Sequence, residues 1–219
     1  MSKQALVRKE VFIFLALVMA SYAISVILFL FLAPAPLANI LGFLSLLCYV
    51  ATILPSIVKT VFPASQKSNI LRWLFKNRRQ FGVTAFSFGL SHGVLLIMER
   101  HLSLSDPHTY IKYFQGVSTL LIFTLLAITS NDWSVRNLKS NWKKLHQLTY
   151  TAIFLLPWHI LDKMGMQWTH LTPIAVLITI VTLILFIQRK NIEQIESICK
   201  QQINKQKANQ QETKKLEKV

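Results

Sequence analysis

Six apolar runs, each close to the length of a membrane crossing, constrain this chain more than any other feature. They fall at about residues 11–32, 37–58, 81–98, 111–129, 145–161 and 171–187, and a helix needs roughly 20 apolar residues to cross a bilayer. Few charges interrupt them. In hydrocarbon every backbone amide must be satisfied within its own segment, so the runs are helices rather than open strands. The expected fold is an all-α integral membrane protein, a six-helix transmembrane bundle over residues 1–187 followed by a polar basic tail at 188–219. The first run is too long for a cleaved signal peptide and ends in FLAPAP, whose prolines suit a tight turn between two spans.

The net charge of +15 invites a nucleic-acid reading, but its placement argues against one. Lys and Arg number three in 1–10, six in 59–80, four in 130–144 and eight from 188 onward. The alternate segments carry none in 33–36, two in 99–112 and one in 162–170, so the division is 21 against 3. The positive-inside rule then places both termini in the cytoplasm of a cell whose inner (plasma) membrane holds the chain. The basic charge faces anionic lipid head groups, and no nucleic-acid partner is expected. Cys48 in the second run and Cys199 in the tail are too far apart for a disulfide between them.

Between the second and third runs, ASQKSNILRWLFKNRRQ reads either as a short amphipathic helix at the inner interface or as a basic loop with apolar anchors. No Gly-rich nucleotide fingerprint follows a strand, and 32 residues after the last run are too few for a flavin or nicotinamide domain. A redox role would require electrons from another molecule.

The chemistry-bearing residues are histidines. His92, His146 and His159 lie within or at the edge of runs, whereas His101, His108 and His170 fall on the expected outer side. The third and fifth runs both lead outward, so depths can be compared along them. At about 1.5 Å per residue, His92 lies roughly 20 Å above Arg79, and His159 roughly 20 Å above His146. His92 and His159 therefore share an outer level, and Arg79 and His146 an inner one. Two imidazoles on facing helices can hold a six-coordinate haem iron, and two such levels would make an electron path across the bilayer. The competing readings are hydrogen bonding between helices and proton relay. Against a relay, the six runs lack Asp and Glu in their cores.

One difficulty is angular. Thirteen residues on an ideal helix rotate about 1300°, which leaves His146 and His159 about 140° apart. Pro157 lies between them and removes the hydrogen bond to the Ile153 carbonyl, so a kink is expected there. Gly82, Gly89 and Gly93 lie along the third helix; Gly89 and Gly93 suit close helix packing and could also give clearance beside His92.

RRQFG followed by SFGLSH, then ITSNDWSVRNLKSNWKKLHQLTY and PWHIL, resembles the ferric-reductase-like transmembrane family, and its short, haem-only branch in particular. The resemblance covers about residues 70–162. It implies b-type haem, one or two, with His92 and His159 as axial ligands of an outer haem and His146 as a ligand of an inner one. Longer members of the family carry a second histidine where this chain has Arg79. That departure leaves the inner haem five-coordinate, weakly held or absent. Arg79 is either a haem-propionate partner or a positive-inside anchor.

The resulting expectation is an oxidoreductase component. It would take electrons from a cytoplasmic flavoprotein or from quinol, with flavin or quinone supplied by the partner. It would pass them to ferric iron or to a periplasmic methionine-sulfoxide reductase. The outer histidines would bind an iron or copper substrate or be ordinary surface residues. The rival from another class is a non-redox polytopic membrane protein, a small transporter or assembly subunit with structural or proton-relay histidines.

Overall fold

The structure is a computed structural model that describes residues 36–103, 105–163, 169 and 171–216. The expected first span and His170 lie outside the described residues. The elements run α1 (Leu37–Val61), a 3-10 turn (Pro63–Lys67), α2 (Asn69–Lys76), α3 (Arg78–Glu99), α4 (Pro107–Lys112), α5 (Phe114–Ile128) and α6 (Asp132–Leu138). They continue through α7 (Ser140–His146), a second 3-10 turn (Gln147–Tyr150), α8 (Ala152–Lys163) and α9 (Leu171–Leu216).

Three described helices are long and apolar enough to cross a membrane: Leu37–Val61, Arg78–Glu99 and the stretch Leu171–Gln206. Counting α5 and α6, which meet at a 93° bend, as one broken span makes four. An all-helical membrane chain is therefore what the described residues form, with three to four apolar spans among them.

Helix α1 sits at the centre, packed against α3 on one side and α9 on the other. Its Ile40, Ile53 and Ile57 are fully buried. Lipid is as apolar as these side chains, so helices here associate through close packing and buried hydrogen bonds rather than through escape from water. The α1–α3 contact shows how. The Ser45 hydroxyl donates to the Ala85 carbonyl at 2.7 Å, and it can come that close because Gly89 has no side chain: a Cβ there would lie 3.2 Å from Ser45 Oγ. Helix α9 has the expected two faces. Thr172, Ala175, Thr179, Thr182 and Phe186 are buried, while Ile174, Leu177, Ile180, Val181, Ile184 and Ile187 are exposed toward where lipid would lie.

The fifth apolar run departs from expectation. It is not one helix: α7 ends at His146, a 3-10 turn covers Gln147–Tyr150, and α8 begins at Ala152. A side chain of another helix bonds to this turn. The buried Tyr49 hydroxyl on α1 donates to the Thr149 carbonyl at 2.8 Å, and that carbonyl is thereby held for a partner outside its own helix. Within the turn, the Thr151 amide bonds to the Leu148 carbonyl, three residues back, at 3.0 Å. A 3-10 turn winds faster than an α-helix, so the thirteen steps from His146 to His159 rotate about 1380° and the gap closes to about 60°. The angular difficulty read from the ideal helix is eased at the turn before Pro157.

The tail is helical through its described residues. α9 runs unbroken for 46 residues, from the last apolar run into the polar segment. It is fastened where the two meet: Arg189 donates to the Tyr150 hydroxyl at 2.9 Å and pairs with Glu193 at 2.7 Å, and Tyr150 stacks on Phe186 with centroids 5.2 Å apart.

Candidate functional site

Helices α3 and α8 bring His92 and His159 together. Their ring centroids are 6.4 Å apart and their planes meet at 84°. Depth counting puts both in the outer half of the membrane, and the rings do share one level. Each ring is backed by a glycine on a neighbouring helix. A Cβ at Gly42 of α1 would lie 3.0 Å from His92 Nδ1, and one at Gly116 of α5 would lie 2.9 Å from His159 Cε1. Any larger residue at either position would push the imidazole aside.

The tautomer of His92 is fixed by its partner. Nδ1 lies 2.6 Å from the Ala38 carbonyl oxygen, and a carbonyl only accepts, so Nδ1 carries the proton and Nε2 keeps its lone pair. A metal-binding histidine is commonly held this way, with one ring nitrogen donating to a carbonyl so that the other can ligate. An imidazole nitrogen bonds a metal at about 2 Å and sits about 1 Å from its own ring centroid, so two imidazoles across one metal place their centroids about 6 Å apart. The observed separation matches that span.

Beside the pair lies a cavity of about 250 Å³ between α1, α3, α5, α8 and α9. Leu46, Phe123, Leu156 and Ile160 form apolar walls, and Gly89 and Gly93 open its α3 side. Gly89 thus serves helix packing and cavity width together, while a Cβ at Gly93 would make only an ordinary 3.8 Å contact with Leu120. Trp158 is exposed and is not among the residues lining the cavity.

The inner level is built differently. His146 Nε2 lies 3.3 Å from the Thr129 hydroxyl, and that hydroxyl donates its own proton to the Leu125 carbonyl at 2.7 Å. Thr129 is thus the acceptor and His146 Nε2 the donor. The ring also stacks on Trp142, with centroids 4.1 Å apart, and the Trp142 indole donates to the Thr129 carbonyl at 3.0 Å. Arg79 does not join this cluster. It pairs with Asp132 at 2.8 Å in an exposed bridge. The expected inner pair therefore has separate partners, and the nitrogen of His146 that matches the free one of His92 is already bonded.

His101 and His108 are exposed. His101 takes φ 48° as the residue that ends α3, and the Leu102 amide closes back on the Ile97 carbonyl at 3.1 Å. This is the left-handed helix stop usually given to glycine. His108 contributes its backbone amide to the Asp106 cap of α4 at 3.0 Å. No group of three or more His, Cys, Asp or Glu that could hold a metal ion occurs among the described residues.

Residues 41–157 match the family model described as "Ferric reductase like transmembrane component". The chain belongs to this family. The matched stretch holds Arg79, His92 and His146 and stops two residues before His159; it also takes in most of α1, which sequence motifs alone did not tie to the family. Among curated proteins, the chain is similar to the protein-methionine-sulfoxide reductase heme-binding subunit MsrQ of Agrobacterium fabrum. The two are 33% identical over 118 residues, 51% of this chain and 53% of that protein. The MsrQ of Brucella ovis is 36% identical over 85 residues, covering 36% of this chain and 39% of that protein. The chain thus spans about half or less of the length of these relatives. No solved structure matches.

Sequence reasoning singled out the three membrane histidines and missed what holds them. Gly42, Gly116 and the Ala38 carbonyl contact the rings from other helices. The only local signal is a small residue within an apolar run, in LGF and QGV.

Proposed function

We propose that this chain is a transmembrane electron-transfer protein that holds b-type haem between His92 and His159. The reading places it in a six-span bundle in the inner (plasma) membrane with both termini in the cytoplasm. The observation that carries the reading is the facing imidazole pair, 6.4 Å apart, with His92 oriented by the Ala38 carbonyl. Two imidazoles alone are a poor donor set for a bare ion. A haem supplies the remaining in-plane nitrogens, and the apolar cavity beside the pair suits a flat apolar macrocycle. The heme-binding subunits among its relatives support the same cofactor.

Haem iron would supply a one-electron couple. The chain does the rest. His92 and His159 would hold the haem iron, Gly42 and Gly116 give their rings room, and the apolar walls would limit water at the site. Ala38 strengthens His92 as a donor by accepting its other proton. Electrons would enter from a cytoplasmic flavoprotein or quinol, pass the His146 level, and leave outward to ferric iron or a periplasmic methionine-sulfoxide reductase. At the inner level His146 would have to give up Thr129 to ligate through Nε2, which makes it the weaker of the two sites.

Detergent-purified protein tests this directly. The expected spectrum has an intense Soret band and a sharp alpha band on reduction. A folded protein with no visible absorption would overturn the proposal in favour of a non-redox membrane subunit.

A further inference from the structure

The cavity beside the histidine pair has one charged end. Among its lining side chains Arg100 alone carries a permanent charge, and Thr109, Tyr110 and Tyr113 of the α4 segment line the cavity with it. Arg100 caps α3 eight residues beyond His92, so it stands about 12 Å further along the axis, toward the expected outer surface. Its base is held by the helix stop at His101, and its Nη1 donates to the Tyr113 hydroxyl at 3.2 Å. Among the described residues it has no carboxylate partner. A guanidinium has five donors in a planar fork shaped for a carboxylate, and most of these are unused. A cavity with apolar walls and one such fork at its mouth complements a flat apolar ligand with acid groups on one edge.

We infer that Arg100, assisted by Tyr113, takes a carboxylate of the haem and turns the acidic edge outward. This rests on the haem reading of the same cavity. Arg100 is then a positioning residue. Its charge offsets the carboxylate near the iron and so favours the reduced state, and the edge it holds is the one that faces the external acceptor.

The test uses full-length protein in detergent and compares native, R100Q and R100K. In R100Q both axial histidines remain, so the reduced alpha band keeps its position and shape. Its haem transfers to excess apomyoglobin about tenfold faster than native, as expected for loss of a charge-assisted bond. Its midpoint potential falls by about 59 mV, a tenfold change for one electron. R100K, which keeps the charge and loses the fork, recovers most of the potential and little of the retention. Reconstitution with iron protoporphyrin dimethyl ester, which has no free carboxylate, supplies the second arm. With that probe native and R100Q should become alike, and the comparison guards against a variant that is merely misfolded. Equal potentials and equal haem loss in native and R100Q with ordinary haem would overturn the assignment of Arg100 and leave the haem reading standing. Native protein that takes up no haem would overturn both.

Discussion

The Ala38 carbonyl on α1 accepts the Nδ1 proton of His92 on α3 at 2.6 Å. That single bond leaves Nε2 of His92 unprotonated and holds the ring at the level of His159. His146 is arranged the opposite way, with Nε2 donating to Thr129. The two levels of the bundle therefore differ in readiness. On the proposed function, His92 is oriented to ligate through Nε2, whereas His146 would first have to give up Thr129.

The ring planes of His92 and His159 make a testable signature. They meet at 84°, and near-perpendicular axial imidazoles give low-spin ferric haem a highly anisotropic magnetic signal. Electron paramagnetic resonance of the oxidised protein should show one low-spin species with a large principal g value. A rhombic signal typical of parallel imidazoles would contradict the observed ring geometry.

Gly116 should be the most demanding glycine among the described residues. Gly116→Ala places a methyl 2.9 Å from His159 Cε1, and such overpacking costs typically about 1–3 kcal/mol. Alanine also favours a helix interior over glycine by about 1 kcal/mol. The expected result is a fold of near-native melting temperature that has lost much of its haem. Gly93→Ala, whose methyl meets only Leu120 at 3.8 Å, should keep its haem and melt at or above native. Equal haem content in the two variants would show that the ring at 159 is not confined by α5.

Tyr49→Phe removes the donor that holds the 3-10 turn at Gln147–Tyr150. An orphaned buried carbonyl costs about 1–3 kcal/mol. Thermal unfolding should show that loss. If the turn then relaxes to α-helical winding, His159 rotates away from His92 and the haem content falls with it. A variant as stable and as haem-replete as native would mean that the turn is fixed locally.

These cases show what could be read in the sequence. Rise per residue is a local property, so counting along α3 and α8 put His92 and His159 at one depth before any contact was known. Hydropathy located α1, α3 and α9 for the same reason. Winding is not local when a distant side chain takes a backbone carbonyl: nothing in LHQLTY announces that Tyr49 will claim Thr149, so the fifth run read as a single helix. Likewise Gly42 and Gly116 look like any small residue in an apolar run until the rings that press on them are placed. Arg79 shows the reverse limit. Its place in α3 follows from the same counting, but Asp132, which takes its charge, stands beyond a bend that periodicity does not reveal.

Arg79 and His146 should separate in their effects. The Arg79–Asp132 bridge is solvent-exposed, so Arg79→Ala should lower stability by less than about 1 kcal/mol. Any haem lost in this variant should be the inner one. His146→Ala removes the Thr129 bond and the Trp142 stack and should abolish an inner haem while leaving the outer low-spin signal intact. Loss of the outer signal in either variant would break the assignment of levels.

The central claim is that His92 and His159 hold one haem between them. Haem content per chain and the reduced spectrum of native, His92→Ala and His159→Ala proteins, purified side by side, test it most directly. The account predicts that each substitution alone removes the same low-spin haem, with the polypeptide still folded. A haem of native amount and native alpha band in either variant would contradict it.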